Sequence, residues 1–119
     1  MSPGACYTAP MDAQEAFHTL ELRAGRILSA EPHEQARKPA YRLRIDFGAA
    51  GIKASSAQLM DLYTPAGLIG RTVIAAVNLG TRRIAGFTSE VLVLGVPDEA
   101  GRVVLLSTER EVPAGGRVF

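Results

Sequence analysis

The side chains of this chain that could do chemistry gather in two runs, Lys53-Ala-Ser-Ser-Ala-Gln58 and the stretch from Asn78 to Gly95, where cations and small polar groups stand beside strand-like apolar patterns. Lys53, Arg82 and Arg83 offer positive charge, while Ser55, Ser89 and Asn78 offer short donors and acceptors. Guanidinium groups present planar, bidentate donors that match phosphate and stack on bases, so the set suits holding an anionic polymer. It does not suit bond breaking. The serines lie outside a G-x-S-x-G elbow, Asp46 adjoins a glycine turn and reads as a turn former, and no Walker loop or H-E-x-x-H is present. His18 and His33 lack the spacing and the cysteine or carboxylate companions of a metal site, and both read as surface or helix-end residues. The expectation is a binding protein with no catalytic residue, no metal and no cofactor.

Net charge is only +1, but it is unevenly spread. From Gln35 to Glu90, eight Lys and Arg stand against three acids, a net +5, which leaves −4 for the remainder. Such asymmetry makes one cationic face for an anionic partner if the fold gathers the basic residues. Arg outnumbers Lys by 11 to 2, a ratio that high genomic GC content would also produce, so position carries more weight than count. Arg82 and Arg83 follow Asn78-Leu-Gly-Thr81 directly. A polar loop tipped with two guanidiniums at a barrel edge is where small Greek-key barrels grip nucleic acid; a solvated turn is the plain alternative. Leu79, Ile84 and Phe87 lie in the same loop, where no strand needs them. They would serve an exposed apolar groove for a polypeptide, unless Phe87 instead caps the barrel core.

The elements that must position these groups follow from periodicity. Asp12 with Glu15 has the spacing of a capping box and predicts a short helix. Leu20, Leu22 and Ala24 share one strand phase and Ile27 the other, which suggests a bulge or sharp bend at Gly25. Tyr41, Leu43, Ile45 and Phe47 alternate with Arg42, Arg44 and Asp46, the cleanest half-buried strand. After the Gly48–Gly51 turn, a strand resumes over 52–56, and Thr64-Pro65 starts a helix that Gly70 stops. Strands over 72–77, 90–96 and 103–107 complete the set. The class is all-β: a five-stranded OB-fold barrel with a short N-terminal helix, a helix between strands 3 and 4, and C-terminal strand extensions, with an SH3-like barrel as the alternative. Val91–Leu94 and Val103–Leu106 are apolar on both strand faces, which predicts a subunit interface and a homodimer.

A chain of 119 residues, 47% hydrophobic and 21% charged, fits one domain with one core. That domain is expected over 12–119, behind a flexible arm over 1–11. The arm lacks the basic and continuous apolar regions of a secretory signal, and the longest apolar runs are far too short for a membrane span. Cys6 is the only cysteine and excludes an internal disulfide. A cytoplasmic protein without membrane insertion is expected.

Family resemblance adds to this reading. Arg37-Lys-Pro-Ala-Tyr-Arg-Leu-Arg-Ile-Asp-Phe-Gly48 resembles the K-P-x-x-Y-K-L-x-I-D-F-G strand of the tRNA-binding domains appended to methionyl- and phenylalanyl-tRNA synthetases, and Gly51-Ile-Lys-Ala-Ser-Ser-Ala-Gln58 resembles the G-x-K-x-S-S-A-Q that follows it. The segments 62–71 and 82–98 are similar to the free-standing CsaA family in particular, described as a chaperone of protein export; the synthetase appendices are usually richer in Met there. The resemblance runs from about Phe17 to Phe119. It implies an OB-fold, tRNA contacts through Lys53, Ser55, Asn78, Arg82, Arg83 and Ser89, and unfolded or precursor polypeptides as further partners. It also implies a homodimer joined through the N-terminal helix and the C-terminal strands. One departure stands out: Gly80-Thr81 replaces the prolines the family commonly carries there.

Overall fold

The computed structural model describes residues 12–119, so the expected arm over 1–11 lies outside the described residues. In chain order these form α1 (Ala13–Thr19), β1 (Leu22–Pro32), β2 (Tyr41–Asp46), β3 (Ile52–Ala57), α2 (Pro65–Leu68), β4 (Thr72–Ala76), β5 (Arg82–Ile84), β6 (Phe87–Ser89), β7 (Leu92–Val93), β8 (Gly95–Pro97) and β9 (Val103–Leu105), with a single 3-10 turn over Gly48–Ala50 between β2 and β3. Both helices start where the sequence places a cap. The Asp12 carboxylate accepts from the Glu15 N–H at 2.8 Å, and the Thr64 hydroxyl accepts from the Gly67 N–H at 3.1 Å ahead of Pro65. Each satisfies one of the orphan amides of a first turn.

Five strands form one antiparallel sheet in the order β3-β2-β1-β4-β7. The sheet curls until the chain before β7 reaches β3, where the N–H groups of Glu90 and Val91 both donate to the Ala54 carbonyl. The result is a nearly closed five-stranded barrel of OB type, with α2 in the β3–β4 connection. Period-two patterning fills its core. Ile27, Leu43, Ile45, Phe47, Leu68 and Val73 are fully buried, and Arg44 stands exposed between buried neighbours on β2. The Tyr41 hydroxyl donates to the Tyr63 carbonyl at 2.7 Å, fixing the α2 approach to the core.

Three expectations need correction. The register shift in β1 falls between Ile27 and Ser29, not at Gly25. Gly25 answers a packing need instead, because a Cβ there would lie 2.6 Å from Ile45 Cγ2 and from the Phe47 ring, and core side chains leave room only for hydrogen. The strand expected over 90–96 divides into β7, which pairs with β4, and β8, which leaves the barrel to pair with β9. His33, expected at the surface, is 3% exposed.

The doubly apolar segments keep apolar surface after the barrel has closed. Val93, Val103 and Leu105 pack toward the core, while Leu92, Val96, Val104 and Leu106 are exposed. The C-terminal tail lies along β1, with Gly115 N–H donating to the Ala24 carbonyl and Val118 N–H to that of Leu22.

Candidate nucleic-acid interface

Two connections rise beside the outer face of β2 and β3. The first, residues 33–40 between β1 and β2, is closed at its base by the His33 N–H donating to the Ala40 carbonyl at 2.8 Å, and it presents Arg37 and Lys38 to solvent. The second is the β5–β6 hairpin. Its two turn residues, Ala85 with φ 48° and Gly86 with φ 83°, both take positive φ, the requirement of a tight two-residue turn whose twist matches the strands.

The hairpin decides where its arginines go. Arg82 pairs with Ser89, Arg83 with Thr88 and Ile84 with Phe87, and successive residues on a strand face opposite ways. The two guanidiniums therefore do not tip a loop together, as the sequence reading expects. Arg83 turns to one face and donates to the Thr88 hydroxyl at 3.0 Å. Arg82 turns to the other, where it lines a groove of about 470 Å³ with Arg37, Lys38, Gln58, Ile84 and Leu92. Among the described residues, no carboxylate lines this groove. Among them too, Arg37, Lys38, Arg44 and Arg82 are in no ion pair, so their charge is available to a ligand. Arg42 is half committed: its Nη2 pairs with Glu31 Oε1 at 2.7 Å, and its guanidinium carbon lies 5.9 Å from the Phe87 ring centre.

The other expected contacts divide sharply. Ser55 is buried, and its hydroxyl donates to the Val91 carbonyl at 2.9 Å. Ser89 is also buried and accepts from the Ser56 N–H at 3.1 Å. Both serines close the barrel seam, and with 1% and 9% of their surface exposed they offer a phosphate little. Asn78 is spent as a brace: its Oδ1 accepts from the Glu21 N–H and its Nδ2 donates to the Thr19 carbonyl, each at 2.8 Å. Lys53 pairs with Ile45 toward the far end of β3, away from the groove. Among the expected apolar contacts, Leu79 is 57% exposed, Ile84 lines the groove, and Phe87 lies outside the core cluster, packed edge-on against His33. Phe87 thus caps no core.

Sequence reasoning missed Arg37, Lys38, Arg42 and Arg44 as site residues, though it counted them in the +5 segment. The signal was the strand alternation itself, which throws Arg42 and Arg44 onto the outer face that the two connections flank.

A family model described as "Putative tRNA binding domain" matches residues 22–117, the whole barrel with both connections. A chaperone CsaA of Bacillus anthracis strain Ames is 50% identical, with a TM-score of 0.86 over 92% of this chain and 100% of that one. The chain belongs to the tRNA-binding domain family, in its CsaA branch. A second CsaA chaperone protein, from Picrophilus torridus, is 39% identical with a TM-score of 0.84, again over 92% of this chain and 100% of the other. Methionine--tRNA ligases match this tRNA-binding unit too: that of Methanosarcina mazei is 30% identical over 111 residues, and that of Methanopyrus kandleri 36% over 104. The chain spans only 15% of the length of either ligase. Among the described residues, no helix is long and apolar enough to cross a membrane.

Proposed function

We propose that this protein is a non-catalytic, cytoplasmic binder of tRNA or similarly structured RNA, which it holds on the groove between the 33–40 connection and the β5–β6 hairpin. The observation that carries the reading is the convergence of unpaired Arg37, Lys38 and Arg82 on one groove without a carboxylate, in a chain of the tRNA-binding domain family. Cations gathered in one groove neutralise phosphates, and the outer β2–β3 face beside them is the face small barrels of this type turn toward nucleic acid. Cations directed at phosphates recognise shape and backbone, with weak sequence preference. Titration of labelled tRNA at a series of salt concentrations tests it. A steep negative log-affinity slope against log-salt is expected, and binding that ignores salt would exclude phosphate recognition.

A second reading is a polypeptide holdase acting in protein export. It draws on the apolar wall of the same groove, Ile84 and Leu92, on exposed Leu79, and on the chaperone relatives. Apolar peptide binding is insensitive to the salt that weakens phosphate binding, so one salt series separates the two. Both readings include a homodimer, because exposed Leu92, Val96, Val104 and Leu106 form the sort of apolar surface that a partner copy covers.

A further inference from the structure

The β5–β6 hairpin has only three residues in each strand, and a two-stranded ribbon of that length does not hold its place in water by itself. Its turn adds a burden, since Ala85 sits in the left-handed region that residues with a Cβ seldom adopt. The hairpin therefore depends on anchors outside itself. At its base, Ser89 Oγ accepts from the Ser56 N–H. Near its tip the anchor is His33, 52 residues away in sequence.

His33 opens the other connection and staples it, its N–H donating to Ala40 and its carbonyl accepting from Ala36 N–H at 3.1 Å. Its ring reaches across to the hairpin. Nε2 lies 3.4 Å from the Ala85 carbonyl oxygen, which accepts from it in the tautomer that carries the ring proton on Nε2. The ring also meets Phe87 edge-on, with centroids 5.6 Å apart at 61°. Phe87 in turn has the Arg42 guanidinium near its ring. His33, Phe87 and Arg42 thus link the connection, the hairpin and the barrel wall.

We infer that His33 is a positioning residue for RNA: it latches the hairpin to the 33–40 connection and so holds Arg82 at a set distance from Arg37 and Lys38. The inference rests on the proposed RNA binding. With the latch closed, a phosphate held by one cation group brings its neighbour to the other at high effective concentration; with it open, binding must also order the hairpin. His33 is buried and touches no phosphate itself. Its removal therefore lowers affinity while leaving the number of phosphates neutralised unchanged.

The test titrates tRNA at several salt concentrations against wild type, His33→Ala and His33→Gln, with amide exchange followed in residues 82–89 and in β2. For His33→Ala, binding about 5- to 20-fold weaker is expected, along a salt line parallel to that of wild type. Hairpin amides should exchange faster while those of Leu43 and Ile45 keep their protection. His33→Gln keeps a side-chain N–H for the Ala85 carbonyl and should recover part of both losses. A slope lowered by about 0.7 to 0.9 would make His33 a phosphate contact and overturn the inference. Unchanged affinity, or unchanged hairpin exchange, would overturn it equally. If His33→Ala loses protection throughout the barrel, the same slope and exchange readings on His33→Gln decide. Wild-type protein that fails to bind tRNA at low salt would reject the RNA reading, and the exchange comparison would still decide whether the latch exists.

Discussion

The Ser55 hydroxyl donates to the Val91 carbonyl inside the barrel, at 2.9 Å, where the backbone ladder between β3 and the chain before β7 consists of two N–H groups sharing the Ala54 carbonyl. A side chain thus completes the seam that the main chain leaves thin. Nearby, the Ala54 N–H donates to the Glu90 carboxylate at 2.9 Å, a second side chain at the same closure. Barrel closure, more than ligand contact, explains why hydroxyls sit at 55 and 89.

Ser55→Ala should cost about 1 kcal/mol, since one buried hydrogen bond is lost while the Val91 carbonyl keeps its longer contact to the Ser89 hydroxyl, at 3.4 Å. Urea denaturation reads the cost as a lower midpoint at unchanged m-value. The folded variant should bind tRNA with the wild-type salt slope. A flattened slope with intact stability would restore Ser55 to the contact surface.

The hairpin's alternation predicts that its two arginines are unequal. Arg82→Ala, like Arg37→Ala or Lys38→Ala, should flatten the log–log salt slope by about 0.7 to 0.9 for each lost phosphate contact. Arg83→Ala should change it less, because Arg83 faces away from the groove and is tied to Thr88. Equal effects from Arg82 and Arg83 would show that RNA wraps both faces of the hairpin.

The junction of α1 and β1 carries a pH signature. A hydrogen bond from Arg23, 2.5 Å from Nε to Oε2, and then the charges of Arg23 and Arg117 hold the Glu21 carboxyl below its ordinary 4.5. A carboxyl with a lowered folded pKa adds stability that is complete above the unfolded value and is lost as pH falls through the folded one. Glu21→Gln should therefore melt lower than wild type at neutral pH and converge with it in acid. Urea midpoints measured down a pH series check this, and a gap that persists in strong acid would assign the loss to packing instead of charge.

Much of the fold was readable in the sequence because it rests on local chemistry. Asp12 and Thr64 cap the helices they precede, and the alternation from Tyr41 to Phe47 sorts core from face as the period demands. The groove was only half readable. Charge counting found the cationic segment, but which of Arg82 and Arg83 faces the groove depends on cross-strand register, and the burial of Ser55 depends on a partner 36 residues away. Nor could local pattern show that His33 is buried, since the hairpin that covers it lies some fifty residues on. Gly25 misled because a glycine at a phase change and a glycine under pressure from core side chains look alike until packing is known.

Self-association is the prediction on which the proposed assembly depends. After the barrel has closed, Leu92, Val96, Val104 and Leu106 still show apolar surface on β7 to β9 and just beyond, and Phe17 does so on α1, whose residues are all exposed in the single chain. A seven-residue helix with no buried face is short for independent stability, so a second copy that covered it would also explain why it forms. An obligate interface of that kind buries on the order of 2,000 Å². Sedimentation equilibrium at low micromolar concentration should report a dimer for wild type. Val104→Glu places a charge on the exposed side of β9, away from the core-facing Val103 and Leu105, and should yield a folded monomer with wild-type far-UV circular dichroism. Wild-type protein that sediments as a single chain at that concentration would sink the dimer.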